Sequence, residues 1–306
     1  MKRTLLFHRD FREYTGGQGK VWDYFTHVNE HPGWLASMYL TRSSIQEHNP
    51  WLRVPEQVAA SWNPEQASAL FLAGLDWTAY PLDDPAKPVI NLLQHVRHGD
   101  PDHPLYQFLS RRAIRVCVSQ SIADAIARTG RVNGPVRVIP AALNLAELPR
   151  PAERRRGTFI GATKQPALGR ALCERLRAQG REVTLVERWV PRGEYLAQLA
   201  QCRVAVLLPS PTEGFFLPGL EAMALGCATI VPDCVGNREY VRTGVNALAP
   251  AAELEALVGA VHLLDDVGGA EGLAAAGLET AGQFTWARER ASFHAILDHL
   301  DELWSS

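Results

Sequence analysis

The chain has 306 residues, of which 46% are hydrophobic and 21% charged, a composition typical of a soluble globular protein with two domains. Its formal net charge of −2 provides no overall basic field, which argues against electrostatic recruitment by nucleic acid or by an anionic membrane. Five scattered cysteines without Cys-x-x-Cys pairing argue against a disulfide framework or a structural zinc site, and they predict buried thiols in a reducing, cytoplasmic compartment.

The first half of the chain alternates short apolar strands with helical or irregular segments. The chain starts with basic residues, but its apolar run stops after three or four residues, so we expect a strand there and neither a signal peptide nor a membrane span. The predicted strands are 4–7, 37–40, 69–73, 89–93, 114–118 and 136–139, and the predicted helices are 20–29 and 120–129. This order predicts a parallel sheet with crossover helices in a first domain over residues 1–150.

The second half repeats the same alternation after a stretch rich in proline and arginine at residues 148–156. The predicted strands are 157–160, 182–186, 204–208 and 228–231, and the predicted helices are 167–179, 193–200, 217–225 and 254–264. We therefore predict a second domain over residues 151–285 and a final helix within residues 286–306. The fold class is α/β, with two Rossmann-like, doubly wound parallel sheets.

A glycine-rich loop, Thr15-Gly-Gly-Gln-Gly-Lys20, follows the first predicted strand and opens a helix. Gly16 and Gly17 would allow a close approach to the backbone, and the first N–H groups of a helix suit a phosphate. The loop is not a Walker A motif, because Tyr14 and Val21 break that pattern. A tight strand-to-helix turn is the alternative interpretation.

A second polar loop, Gln94-His-Val-Arg-His-Gly-Asp-Pro-Asp-His103, follows the predicted strand 89–93. The carboxyl end of a parallel strand is where α/β folds bind ligands, so these histidines are candidate substrate contacts. Asp100 and Asp102 could suggest a metal site, but Pro101 between them is typical of a turn, and we predict no metal there. A plain surface loop is the other interpretation.

Two acidic residues, Glu213 and Glu221, are separated by seven residues. A helix is predicted to begin near Leu217, so one carboxylate lies in a loop and the other on the following helix, where both can contact one polyhydroxylated ligand. Glu221 is the only charged residue within 217–227. Because an unpaired buried charge costs several kcal/mol, Glu221 needs either ribose hydroxyls or a neighbouring arginine such as Arg238.

This stretch resembles the signature of retaining GT-B glycosyltransferases, especially glycosyltransferase family 4, whose pattern is Glu, any seven residues, Glu, usually opening Glu-Gly-Phe-Gly. Phe216 stands where that pattern has its last glycine. The similarity is convincing over residues 200–250 and weaker over most of the rest. It implies the GT-B architecture, in which two Rossmann-like domains face each other across a cleft and the last helix returns to the first domain.

The resemblance also implies roles for individual residues. It assigns Glu213 to the sugar hydroxyls and Glu221 to the ribose, and it suggests that His95, or else Arg97 or His98, contacts the transferred sugar. The other donor-binding positions that it implies are the backbone at Gly214, Phe215, Phe216 and Leu217, together with Gly16 and Gly17, which would reach the diphosphate or the acceptor side.

A further departure from the family lies in the loop Gly161-Ala-Thr-Lys164. The family usually has an arginine directly after this glycine and a lysine nearby, both of which neutralise the donor diphosphate. Here Ala162 replaces the arginine, so Lys164 is the remaining candidate and Arg170 a less favoured substitute. An exposed loop lysine without a function is the alternative interpretation.

The predicted function is metal-independent and cofactor-free transfer of a hexose-type sugar, with retention, from a nucleoside-diphosphate sugar to an acceptor hydroxyl. The acceptor could be a glycan, a glycolipid, a protein or a modified nucleic acid, although the near-neutral charge gives nucleic acid no special support. A sugar-nucleotide epimerase and a non-catalytic sugar-nucleotide-binding subunit are the alternatives. The second alternative follows from the missing arginine at Ala162.

Overall fold

The computed structural model of the chain describes residues 2–81 and 84–305. Its contacts divide the chain into two compact units, Met1–Ala141 with Ala287–Ser306, and Ala142–Trp286. Each unit contains one parallel sheet, which confirms the predicted α/β fold class. Among the described residues, no helix has both the length and the apolar character needed to cross a membrane.

The sheet of the first unit has six parallel strands in the order β2-β1-β3-β4-β5-β6. They are β1 (Arg3–Arg9), β2 (Trp34–Leu40), β3 (Ala69–Ala73), β4 (Val89–Leu93), β5 (Ile114–Cys117) and β6 (Val136–Val138). Every residue of β3 and β4 is buried, which explains why both read as continuous apolar runs. The helices α1 (Gly16–Asn29) and α2 (Gln120–Ala127) follow β1 and β5.

Helix α1 begins four residues before the predicted start at residue 20. Thr15 is its N-cap, and the Thr15 hydroxyl accepts a hydrogen bond from the Gln18 N–H at 3.3 Å. Glycines have low helix propensity, so the three glycines in this first turn obscured the true start in the sequence. The first N–H groups of α1 therefore belong to Gly16 and Gly17 themselves.

The sheet of the second unit has four parallel strands in the order β10-β9-β7-β8. They are β7 (Thr158–Gly161), β8 (Val183–Val186), β9 (Val204–Leu207) and β10 (Ala228–Ile230). The helices of this unit are α3 (Pro166–Ala178), α4 (Arg192–Leu199), α5 (Leu217–Ala224), α6 (Leu254–Leu263) and α7 (Val267–Ala281). Helix α7 was not predicted, because four glycines lower its helix propensity. One of them, Gly277, lies close to Met223 of α5, so tertiary packing explains both the helix and the glycine.

The predicted final helix is two helices, α8 (Trp286–Asp298) and α9 (Leu300–Ser305). Helix α8 joins α1 through buried charges within the first unit. The Lys20 ammonium lies 2.6 Å from one carboxylate oxygen of Glu289 and 2.7 Å from Asp23, and His27 Nε2 lies 3.0 Å from the other Glu289 oxygen. The Glu289 side chain is fully buried, so these contacts provide the compensation that a buried carboxylate requires.

Candidate functional site

The loop that carries Glu213 is held by a turn of backbone around Gly236. The Phe216 N–H donates to the Gly236 carbonyl at 3.2 Å. A Cβ atom added at Gly236 would lie 2.7 Å from the Phe215 nitrogen and 2.8 Å from the Glu213 carbonyl oxygen. Only glycine allows this approach, since both contacts are to backbone atoms that cannot rotate away.

We therefore expect Gly236→Ala to displace the loop and to lower donor affinity and transfer by roughly 10-fold or more, because misplacing a binding group by about 1 Å is costly. The matched control is Gly272→Ala in α7, where an added Cβ would meet nothing within 4 Å. Equal donor affinities for the two variants, measured by calorimetric titration, would contradict this role for Gly236.

Glu213 is half-buried, and within the described residues its carboxylate has no ion pair or hydrogen bond. The next two N–H groups, of Gly214 and Phe215, likewise make no hydrogen bond in the described part of the chain. A carboxylate followed by two unpaired N–H groups gives this loop both an acceptor for sugar hydroxyls and donors for an anion.

The residues that follow are already engaged in the fold. The Phe216 N–H donates to Gly236, and the Leu217 N–H donates to the Phe215 carbonyl at 3.2 Å. The Phe216 side chain is buried in the core, and the Phe215 ring packs 5.6 Å from the ring of Tyr240. Their side chains therefore shape the loop, and the N–H groups available to a ligand lie at Gly214 and Phe215.

Glu221 lies on the buried face of α5, and its side chain is only 3% exposed. Its carboxylate contacts the guanidinium of Arg192, the first residue of α4, whose side chain is 37% exposed. Arg238, the arginine considered from the sequence, is not the partner, because it pairs with Asp233 at 2.6 and 2.9 Å. Glu221 thus has a cationic partner that reaches it from another helix.

Tyr195 completes this cluster from the same helix as Arg192. Burial raises the pKa of Tyr195, and the negative charge of Glu221 raises it further, so the hydroxyl stays protonated. A Cβ added at Gly161 would lie 2.7 Å from this hydroxyl. Glu221, Arg192 and Tyr195 are therefore brought together over the carboxyl end of β7, where parallel sheets bind ligands.

The loop after β7 contains Ala162, which stands where the family pattern has an arginine. Ala162 is fully buried and packs so closely on α3 that a Cβ at Gly169 would lie 2.2 Å from its own Cβ. An arginine side chain would not fit in this direction. Lys164 is exposed and has no ion pair or hydrogen bond in the described chain, whereas Arg170 pairs with Glu187 at 2.7 Å.

The predicted residues of the first unit also lie together. The Gln94 side-chain amide donates to the Gly17 carbonyl at 3.2 Å, and a Cβ at Gly17 would lie 3.4 Å from that side chain. His95 follows, and its Nδ1 accepts from the Arg97 N–H at 3.1 Å. Gly16, Gly17 and His95 therefore share the carboxyl edge of the first sheet.

Two further polar residues of the histidine loop, His98 and Asp100, have structural roles. His98 is buried, and burial, together with the charge of Arg115, lowers its pKa to about 3, so it is neutral at physiological pH. Asp100 accepts a hydrogen bond from the Asp102 N–H at 3.1 Å, which forms the expected turn. In residues 2–81 and 84–305, no group of three or more His, Cys, Asp or Glu side chains could hold a metal ion. All five cysteines are buried free thiols.

Comparison with known proteins shows which family part of the chain resembles. Residues 123–266, just under half of the chain and including both Glu213 and Glu221, match the family described as glycosyl transferases group 1. This part of the chain is therefore similar to group 1 glycosyl transferases. No curated protein sequence matches the chain significantly.

Several solved structures share the fold of this chain over almost its whole length. Sucrose-phosphate synthase from Thermosynechococcus elongatus is 14% identical, with 98% of this chain and 100% of that chain covered and a TM-score of 0.72. HepE from Anabaena, in complex with UDP, is 14% identical over 97% of this chain and 99% of that chain, with a TM-score of 0.74. The lipopolysaccharide outer core galactosyltransferase WaaB, in its apo form, is 15% identical over 96% and 99%, with a TM-score of 0.68. These similarities confirm the predicted GT-B fold.

Arg192 and Tyr195 are the site residues that the sequence did not reveal. The burial of Glu221 predicted that a cationic partner or a ligand must exist, but the partner lies 29 residues earlier in the chain, after a different strand. The sequence signal was only that an arginine lies directly before a predicted helix.

Proposed function

We propose that this protein is a glycosyltransferase that transfers a hexose-type sugar, with retention of configuration, from a nucleoside-diphosphate sugar to an acceptor hydroxyl. The observation that carries the proposal is the arrangement of the loop and helix after β9. Within the described chain, an unpaired carboxylate at Glu213, two unpaired N–H groups at Gly214 and Phe215, and a buried carboxylate at Glu221 follow one another there. The structures of HepE with UDP and with UDP-glucose make a nucleotide sugar the natural ligand class to test.

The spacing along α5 suits a nucleoside diphosphate. Glu221 lies about 6 Å further along the helix axis than Leu217, because each helical residue adds about 1.5 Å. With the ribose hydroxyls on Glu221, the diphosphate reaches the start of α5, next to the loop with the Gly214 and Phe215 N–H groups and at the positive end of the helix dipole. The sugar attached to the diphosphate then extends towards Glu213.

The chemistry needs compensation for charge that develops on the departing diphosphate. The N–H groups of Gly214 and Phe215 and the exposed ammonium of Lys164 supply it, so the proposed reaction requires neither a metal nor a cofactor. The acceptor hydroxyl attacks from the face that the nucleotide leaves, and the departing phosphate oxygen takes its proton. His95, Gly16 and Gly17, in the first unit, are proposed to contact the transferred sugar or the acceptor side.

A second candidate function is a non-catalytic subunit that binds a sugar nucleotide. The tight packing of Ala162 against Gly169 favours it, because the arginine that the family pattern has at this position has no space here. Such a subunit would bind the donor without transferring or hydrolysing the sugar.

The test is a thermal-shift screen with the glucose conjugates of UDP, GDP, ADP and TDP, followed by a transfer assay with a panel of acceptors. A donor present at 100 times its dissociation constant is expected to add about 2.7 kcal/mol to the free energy of unfolding. Failure of every nucleotide sugar to stabilise the protein would refute the proposal. Binding without transfer or hydrolysis would favour the second candidate, and scrambling at sugar C2 in NMR spectra would indicate an epimerase.

A further inference from the structure

The ion pair between Arg192 and Glu221 positions a guanidinium beside the proposed ribose site. Glu221 is almost fully buried, whereas the Arg192 side chain is about one-third exposed, so solvent and ligands reach the pair from the arginine side. A guanidinium has five N–H donors in a planar fork, and one edge can hold a carboxylate while another contacts a ligand.

The direction of the nucleotide determines which of its groups meets Arg192. In the proposed binding mode, the diphosphate lies at the start of α5 and the ribose at Glu221, so the base continues away from the start of α5. Arg192 is the first residue of α4, directly after the connection from β8, and it contacts Glu221. The end of this connection therefore lies in the region where the base is expected. The same connection contains Trp189, whose side chain is 49% exposed.

The chemistry of Arg192 distinguishes between bases. A guanidinium donates hydrogen bonds and accepts none, so it pairs well with ring carbonyl oxygens such as those of uracil, thymine and guanine. Adenine presents an amino group in place of such a carbonyl and keeps only ring nitrogens as acceptors, so a guanidinium aligned on that carbonyl position would face a second donor and lose one hydrogen bond.

We propose that Arg192 is a specificity-determining residue that selects a donor with a keto base, namely uracil, thymine or guanine, over one with adenine. This inference rests on the proposed binding of the donor ribose by Glu221. It assigns to the Arg192–Glu221 pair a second role beyond neutralising a buried carboxylate.

Calorimetric titration with UDP, TDP, GDP and ADP tests the proposal in the wild type, Arg192→Lys and Arg192→Gln. The lysine variant retains a positive partner for Glu221 but lacks the planar fork, so it separates base recognition from folding. The wild type is expected to bind at least one keto-base nucleotide about 10-fold or more tightly than ADP, which corresponds to one good arginine–base contact. In both variants this preference is expected to fall about 10-fold, with circular dichroism unchanged for the lysine variant.

The control is Arg175→Gln, which breaks an exposed ion pair with Glu255 in the same unit and should preserve the preference. A wild-type preference for ADP, an equal loss of affinity for all four nucleotides in the variants, or an unchanged preference in both variants would overturn the inference. If the wild type binds none of the four nucleotides, the proposed function itself fails and this inference fails with it. Strong nucleotide binding with unchanged base preference would refute the role of Arg192 alone.

Discussion

Replacement of Glu289 by alanine is expected to lower the free energy of unfolding by about 3–5 kcal/mol, the usual effect of removing one member of a buried ion pair. Glu289 is fully buried between α8 and α1, and its carboxylate contacts both the Lys20 ammonium and the His27 ring. The truncated side chain would remove one acidic partner of the buried Lys20 ammonium, which keeps its contact with Asp23. Urea denaturation followed by circular dichroism measures the change.

The matched control is Asp301→Ala, which removes an exposed ion pair between α9 and β1. The Arg3–Asp301 pair has a distance of 2.7 Å, but its side chains are 37% and 72% exposed. Water screens such a pair, so its loss should cost less than about 1 kcal/mol. Equal losses for the two variants would contradict the structural role assigned to Glu289.

The same cluster predicts how the effect of Glu289→Ala depends on pH. Burial alone would raise the pKa of Glu289, but Lys20 and the hydrogen bond from His27 outweigh burial and lower it. Because the pKa is lower in the folded state, the stabilisation is present above the pKa of the unfolded chain and is lost as the pH falls through the folded value. The pKa of Lys20 is raised, so its own contribution disappears only as the pH rises through that higher value. The difference between wild type and variant should therefore be largest near neutral pH and shrink in acid.

The strands of the fold could be predicted from the sequence because burial on both faces requires continuous apolar runs. The predictions for β3 and β4 agree with the structure at both ends. Elements whose stability depends on tertiary packing were harder to predict. Helix α7 contains four glycines and is held by its packing on α5, and the break between α8 and α9 at His299 has no proline or glycine to mark it.

The site residues that are close together in the sequence could be predicted, whereas those from distant parts of the chain could not. The spacing of Glu213 and Glu221 was visible because both lie on one loop and the helix that follows it. The partner of Glu221 was not, because Arg192 comes from another crossover and only the sheet order brings α4 near α5. Arg238 was the arginine considered as the partner of Glu221, but its guanidinium pairs with Asp233, five residues earlier in the chain.

The two carboxylates are expected to fail in different ways when each is changed to glutamine. Glu213→Gln removes a charged acceptor for sugar hydroxyls but leaves the nucleotide contacts intact, so kcat should fall about 10- to 100-fold while UDP affinity stays nearly constant. Glu221→Gln weakens the ribose contact and should lower the affinity for the nucleotide itself by about 10- to 100-fold, equivalent to roughly 1.5–3 kcal/mol. Steady-state kinetics with the best donor and calorimetric titration with UDP, or with the nucleotide of that donor, separate the two effects.

Glu174→Gln is the matched control, because Glu174 is an exposed glutamate on α3 and its loss should change neither quantity. Wild-type turnover in Glu213→Gln would remove the sugar-contacting role from the loop after β9, even if Glu221 still binds the ribose. Wild-type UDP affinity in Glu221→Gln would have the wider consequence. The contact between Arg192 and Glu221 would then be a structural ion pair without a role in donor binding.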